Sequence, residues 1–250
     1  MKLVRFQVAG REACGILTGD EIGELEGDLS GSLKLLKSSY PLSQVRLLAP
    51  SSPSKVVAVG LNYRDHAHEM GFPIPENPVI FLKPPSSMIG PGDEIIFPAM
   101  STRLDYEAEL GVVIKDRVRN VSSDQASRHI LGYTCVNDVT ARDLQKQDGQ
   151  WTRAKSFDTF CPAGPWIETD LDPDDLSVES YLNGQRKQAS RTSQFIFNVN
   201  HLVSFISEIM TLCAGDLIIT GTPSGIGPMK PGDEIEVRIE GIGSLKNVVR

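Results

Sequence analysis

The chain has 250 residues, 40% hydrophobic and 23% charged, which is enough for one sizeable core with a small appendage and gives no sign of disorder. A formal net charge of −7 argues against a nucleic-acid or anionic-membrane surface, and an anionic ligand would need local cations. The four cysteines lie far apart without C-x-x-C spacing, and no apolar run reaches the length of a signal segment or a membrane span; a reducing cytoplasm is the expected compartment.

In chain order, residues 2–9 and 12–17 alternate as strands, and Gly19, Gly23, Gly27 and Gly31 punctuate turns up to a short amphipathic stretch, Leu33 to Leu36. This reads as a small N-terminal β appendage. The stretch from Tyr40 to Lys55, with Pro41, Pro50 and Pro53 among serines, reads as a connector, dividing the chain into residues 1–50 and a main domain at 51–250. Strands are expected at Val56 to Val59, Val79 to Leu82, Glu94 to Phe97, Tyr106 to Ile114, Leu131 to Asn137, Ser177 to Leu182, Leu217 to Thr220 and Glu234 to Ile239. Helices are few and short. Ser122-Ser123-Asp124-Gln125 has a capping-box pattern opening a helix to Ile130, and Asn198 caps another whose apolar face is Val199, Leu202, Val203, Ile206 and Ile209. The tetrapeptide P-G-D-E, at Pro91 and again at Pro231, is turn chemistry before a strand, and Asn183-Gly184 signals a hairpin. The fold class expected is therefore mainly β with short helices.

The stretch Asp105 to Ile114 draws attention because Glu107 and Glu109 sit two apart in a predicted strand, hence on one face. Two such glutamates also make the wet face of an amphipathic strand. However, Leu110 to Ile114 is too continuously apolar for a solvated face, which points to burial. Buried together, the two carboxylates repel unless a cation lies between them. Asp138, closing the next apolar run, is a third hard oxygen ligand, and a set without Cys or His favours Mg²⁺ or Mn²⁺ over zinc.

Asn62 to Gly71 reads as a short helix ended by glycine, in which His66 and Glu69 are neighbours on one face. A carboxylate beside an imidazole orients the ring and raises its basicity, as a water-activating base requires, although a surface His–Glu pair has the same spacing. The proline-rich residues 72–78 have the composition of a covering loop. Lys83 and Lys155 lie among apolar or small residues, where a lysine needs an anionic partner. The loop Gly221-Thr222-Pro223-Ser224-Gly225 lacks the lysine of a phosphate loop, but its backbone amide and the Thr222 hydroxyl could bind a carboxylate.

The ordered motifs G-L-N-Y-R-D-H-x-x-E, F-L-K-P, D-Y-E-A-E-L, N-D-V-T-A-R-D-L-Q, K-S-F-D-T-F-C-P and G-T-P-S-G-I-G resemble the fumarylacetoacetate hydrolase family in its short bacterial branch, over about residues 55–250. The resemblance implies a mixed β-roll, usually a homodimer. It implies that Glu107, Glu109 and Asp138 hold one Mg²⁺ or Mn²⁺, that His66 and Glu69 form a catalytic dyad, and that Lys155 faces the substrate or its oxyanion. Lys83, Arg142, Gln145, Gly221 and Thr222 match cavity positions. Leu61 stands where acylpyruvase-type members carry an arginine that helps hold a substrate carboxylate.

The function expected is a divalent-metal-dependent hydrolase that cleaves a C–C bond in a small anionic 2,4-dioxo carboxylate. Isomerisation of a 2-hydroxy-dienedioate, tautomerisation of oxaloacetate, or its decarboxylation would draw on the same residues. An inactive ligand-binding module would have lost a ligand or the dyad first, and here both are intact.

Overall fold

The computed structural model describes residues 1–29, 33–71 and 73–250. The Gly31 turn and Phe72, the head of the proline-rich loop, lie outside the described residues. The fold is mainly β with short helices, as the sequence leads one to expect. The longest described helix, Val199–Ile209, has 11 residues, and no described helix is long and apolar enough to cross a membrane.

The largest sheet has twelve strands. Its main path runs Leu35–Pro41, Glu21–Leu25, Arg11–Thr18, Lys2–Val8, Cys161–Glu168, Ile130–Asn137, Ala108–Ile114, Leu217–Ile219, Val56–Val59 and Ile80–Lys83. The N-terminal strands extend this sheet directly, because Lys2–Val8 pairs antiparallel with Cys161–Glu168 through Lys2 opposite Glu168 and Leu3 opposite Ile167.

The centre of the sheet is buried on both faces, and the period of two sorts its side chains. Leu110, Val112 and Ile114 join Val57, Val59 and Ile218 in one apolar cluster with the buried face of Val199–Ile209. Val113 turns the other way, into a cluster with Val56, Ala58, Leu217 and Ile219. Truncating a residue such as Leu110 to alanine would cost roughly 2–5 kcal/mol. Gly111 must be glycine here, since a Cβ would stand 2.7 Å from Val136 Cγ2.

A five-stranded sheet, ordered Gln185–Arg191, Ser177–Leu182, Glu234–Ile239, Gly243–Val249 and Glu94–Ile95, packs against this centre. The hairpin at Asn183-Gly184 is formed, with positive φ at both residues (51° and 77°) as a two-residue turn of the primed kind requires. Both P-G-D-E copies are turns whose aspartate caps the loop. Asp93 Oδ2 accepts the Gly90 N–H at 2.8 Å and Asp233 Oδ2 the Lys230 N–H at 2.9 Å. The strands they open flank the same partner, Gly243–Val249.

Three local expectations are corrected, and one strand is not anticipated. The run Tyr106 to Ile114 is two strands, Leu104–Tyr106 and Ala108–Ile114, separated at Glu107 and belonging to different sheets. The capping-box stretch forms only a 3₁₀ turn at Ala126–His129, without a side-chain cap, whereas Asn198 does cap its helix by accepting the His201 N–H at 2.9 Å. The short amphipathic stretch expected from Leu33 to Leu36 instead leads into an exposed edge strand that begins at Leu35. Cys161–Glu168, a central strand, goes unforeseen because Pro162 and Pro165 argue against a strand interior.

Candidate functional site

The break at Glu107 builds the site. The Glu107 N–H donates to Asn137 Oδ1 at 2.9 Å and its carbonyl accepts the Asp138 N–H at 2.9 Å, locking the start of one strand to the end of its neighbour. The chain thereby leaves the ladder where three carboxylates meet. The ligand oxygens of Glu107, Glu109 and Asp138 lie within 4.8 Å of one another, and all three residues are buried.

Cations surround two of them. Lys155 Nζ donates to Glu107 Oε2 at 2.8 Å and to Asp138 Oδ2 at 2.6 Å, and Lys83 Nζ donates to Asp138 Oδ1 at 2.6 Å. Arg142 joins Glu107 Oε1 through Nη2 and Asp105 Oδ2 through Nε, the latter at 2.9 Å. Burial alone would raise the Glu107 carboxyl, but Lys155 and Arg142 outweigh it and hold it down at about 2. Burial alone would lower Lys155, yet Asp138 and Glu107 raise it. Glu109 is the exception, with no ion-pair partner among the described residues, only the Gly221 N–H at 2.7 Å from Oε2. Burial, then Asp138 and Glu107, push its carboxyl well above the usual range.

This corner is therefore short of positive charge, and its donors are carboxylate oxygens with no Cys or His among them. That donor set suits a hard divalent cation such as Mg²⁺ or Mn²⁺, so the residues present fit the metal.

The dyad comes from helix Arg64–Met70, which Gly71 ends in the left-handed conformation at φ 67°. His66 Nδ1 lies 3.0 Å from Glu69 Oε2, leaving Nε2 as the nitrogen without that partner. Glu69 is itself steadied by the Gly225 N–H, at 3.1 Å from Oε1. His66, Glu107, Arg142, Gln145, Lys155 and Thr222 all line one cavity of about 290 Å³, at the small end of ligand pockets.

Lys83 and Gly221 do not line this cavity. Lys83 is wholly buried against Asp138, and the Gly221 amide is committed to Glu109. The Thr222 hydroxyl reaches the cavity, but its hydrogen goes to the Ala108 carbonyl at 3.0 Å while its oxygen accepts from Gln188 Nε2 at 2.8 Å. Neither loop donor is thus free for a substrate carboxylate. Sequence reasoning passed over Asp105 and Asn137, which anchor Arg142 and Glu107; their proximity to the paired glutamates and to Asp138 was the available signal. It also passed over the apolar walls, Met70, Phe81, Trp151 and Ile226, which join Leu61 only in space.

Residues 55–250 match the family described as fumarylacetoacetate (FAA) hydrolase C-terminal, and residues 1–50 match one described as Rv2993c-like, N-terminal. A 2,4-didehydro-3-deoxy-L-rhamnonate hydrolase of Sphingomonas sp. (strain SKA58) is 43% identical, in an alignment covering 100% of this chain and 96% of the relative. The mitochondrial oxaloacetate tautomerase Fahd2a of Rattus norvegicus is 40% identical, covering 90% of this chain and 76% of its own. The solved 5-carboxymethyl-2-hydroxymuconate delta-isomerase from Mycobacterium smegmatis superposes with a TM-score of 0.95 at 45% identity, covering 100% of this chain and 99% of that one. A family match over residues 55–250, which hold six strands of the main path of the largest sheet, together with relatives aligned along most of their length, places this chain in the fumarylacetoacetate hydrolase family, beside a named hydrolase, a tautomerase and an isomerase.

Proposed function

We propose that the protein is a divalent-metal-dependent hydrolase that cleaves a carbon–carbon bond in a 2,4-dioxo carboxylate. The observation that carries this reading is the shared cavity: His66, held by Glu69, opens on the same small chamber as Glu107, Arg142 and Lys155. The relative aligned over the whole chain is named as the hydrolase of an acid with oxidised carbons at positions 2 and 4.

Glu107, Glu109 and Asp138 would hold Mg²⁺ or Mn²⁺, which when bound supplies Lewis-acid polarisation of a carbonyl. The chain's own residues account for the proton traffic. Glu69 fixes the His66 ring and its tautomer, so that Nε2 is the nitrogen that takes a proton from water. The hydroxide adds to the C4 carbonyl, and the C3–C4 bond breaks with its electron pair on C3. The His66 imidazolium then returns the proton to C3, giving a carboxylic acid and pyruvate. Lys155 has three N–H donors, of which Glu107 and Asp138 take two; the third is available to a substrate oxygen.

A second reading, proton transfer between carbons without water attack, is favoured by the named tautomerase and isomerase relatives and uses the same base. The two separate in a spectroscopic screen of the purified protein with Mg²⁺ or Mn²⁺ against acylpyruvates, 2-hydroxyhepta-2,4-dienedioate and enol-oxaloacetate. Metal-dependent acylpyruvate cleavage supports the hydrolase. Isomerisation without cleavage of any acylpyruvate would transfer the assignment to the second reading.

A further inference from the structure

His66 can take a proton at Nε2 only in the tautomer that carries its hydrogen on Nδ1, and Glu69 Oε2, 3.0 Å from Nδ1, selects that form. The Glu69 side chain is 40% exposed, so water competes for its oxygens. Apart from His66, its partner among the described residues is the Gly225 N–H, 3.1 Å from Oε1 and 3.3 Å from Oε2. Gly225 is therefore what aims the carboxylate. It has φ 93°, and a Cβ there would stand 2.4 Å from the Lys187 carbonyl oxygen, so the position requires glycine. Glycine permits many backbone conformations, and something has to hold this one. Tyr106 does so, because its hydroxyl donates to the Gly225 carbonyl at 3.0 Å. The tyrosine is 3% exposed, sits in the apolar cluster of Leu104, Met229 and Ile235, and stays outside the chamber.

We propose that Tyr106 is a positioning residue for the dyad, acting on His66 through Gly225 and Glu69. This rests on the reading of His66 as the base. Tyr106 ends the strand Leu104–Tyr106 immediately before Glu107, and it pairs there with Gly227. The same stretch of chain thus delivers Glu107 to the carboxylate cluster and fixes the loop that steers the base. Without the hydroxyl, Gly225 regains torsional freedom, Glu69 turns toward solvent, and Nδ1 loses the acceptor that keeps its proton. The fraction of molecules with Nε2 free to accept then falls. Thr222 and Pro223 are held separately, by Gln188 Nε2 at 2.8 Å and 2.9 Å, so the loss is confined to the Gly225 end of the loop.

The test is heteronuclear NMR of the full chain labelled at its four histidines, with His66 assigned by the loss of its signals in His66→Ala. Spectra are taken roughly two pH units above the ordinary imidazole pKa of about 6.5, where the ring is neutral. Wild type should show His66 protonated at Nδ1. In Tyr106→Phe the ratio of the Nδ1-protonated to the Nε2-protonated form should fall about threefold to tenfold, the weight of one hydrogen bond. In a Glu69→Gln background Tyr106→Phe should change the ratio no further, since both act through one carboxylate. With saturating Mg²⁺ and an acylpyruvate, kcat of Tyr106→Phe should fall by a like factor while KM and Mg²⁺ affinity hold. Should Tyr106→Phe fail to fold, Gly227→Ala takes its place, because its Cβ would stand 2.9 Å from the Tyr106 hydroxyl and displace it without removing it. An unaltered tautomer ratio, a further fall in the Glu69→Gln background, or a loss of Mg²⁺ affinity in step with kcat overturns the positioning role. A wild type that cleaves no acylpyruvate overturns the hydrolase reading, while the tautomer ratio still decides the role of Tyr106.

Discussion

The Lys83 ammonium stands 2.6 Å from Asp138 Oδ1, with both side chains sealed from solvent, so one of the three clustered carboxylates is clamped by a residue that never touches the cavity. Lys83 therefore acts on the site through Asp138. Removing one member of a buried pair leaves an uncompensated charge, which costs about 3–5 kcal/mol. Lys83→Met should lose stability of that order in urea unfolding of the metal-free protein. Saturating Mn²⁺ should recover part of the loss, because a ligand that binds only the folded state adds its own stabilisation. An unchanged unfolding midpoint would mean that Lys155 alone balances Asp138.

Glu109 carries a pH signature. Its carboxyl is raised by burial and by Asp138 and Glu107, so at a pH above the ordinary glutamate value of 4.5 the folded chain holds a proton that the unfolded chain has released. Stability contributed by this group is then full below that value and declines as pH rises toward the folded pKa. Glu107 works in the opposite sense: held down at about 2, it contributes stability above the ordinary value that is lost as pH falls from 4.5 toward 2. Glu109→Gln should remove the decline on the alkaline side, keep the acid limb, and fold normally, yet lose most of its affinity for Mg²⁺ or Mn²⁺. Calorimetry showing unchanged metal affinity in this variant would falsify the placing of Glu109 in the ligand set.

Loss of the base should distinguish the two reactions. Water attack needs a positioned hydroxide, so His66→Ala should reduce acylpyruvate hydrolysis on the order of 10²–10⁴-fold, with Glu69→Ala following the same direction. Oxaloacetate decarboxylation makes no such demand and should survive in large part. A parallel fall of both rates would point to one shared base step and remove the advantage of the hydrolase reading.

Leu61 lines the cavity as part of its apolar wall. Leu61→Arg should lower the KM of small 2-oxo acids if their carboxylate passes this position. An unaltered KM in steady-state assays would place that carboxylate elsewhere along the chamber.

The strand Ile80–Lys83 ends the largest sheet and leaves Val79 and Leu82 about half exposed, at 47% and 48%. Apolar edges of this kind are ordinarily covered. We expect a homodimer, with sedimentation at micromolar concentration giving twice the 27.3 kDa of one chain. A mass of 27.3 kDa would contradict it.

The sequence by itself determined the β-rich class, the burial of Leu110 to Ile114, the Asn183-Gly184 hairpin and the candidacy of Glu107, Glu109 and Asp138, because alternation, turn chemistry and apolar runs act over a few residues. It misread the strand through Glu107, since what ends that strand is a distant partner: Asn137 takes the Glu107 N–H across the ladder. It could not tell that Lys83 and Gly221 serve the carboxylates rather than a ligand, as a donor's acceptor is fixed only when the chain closes. Nor could it assemble the chamber, where Leu61, Trp151 and Ile226 come from three separate segments. Tertiary structure decided these points because burial, the shared charge of Lys155 and the raised carboxyl of Glu109 are properties of groups brought within a few ångströms by packing, and none belongs to a residue on its own.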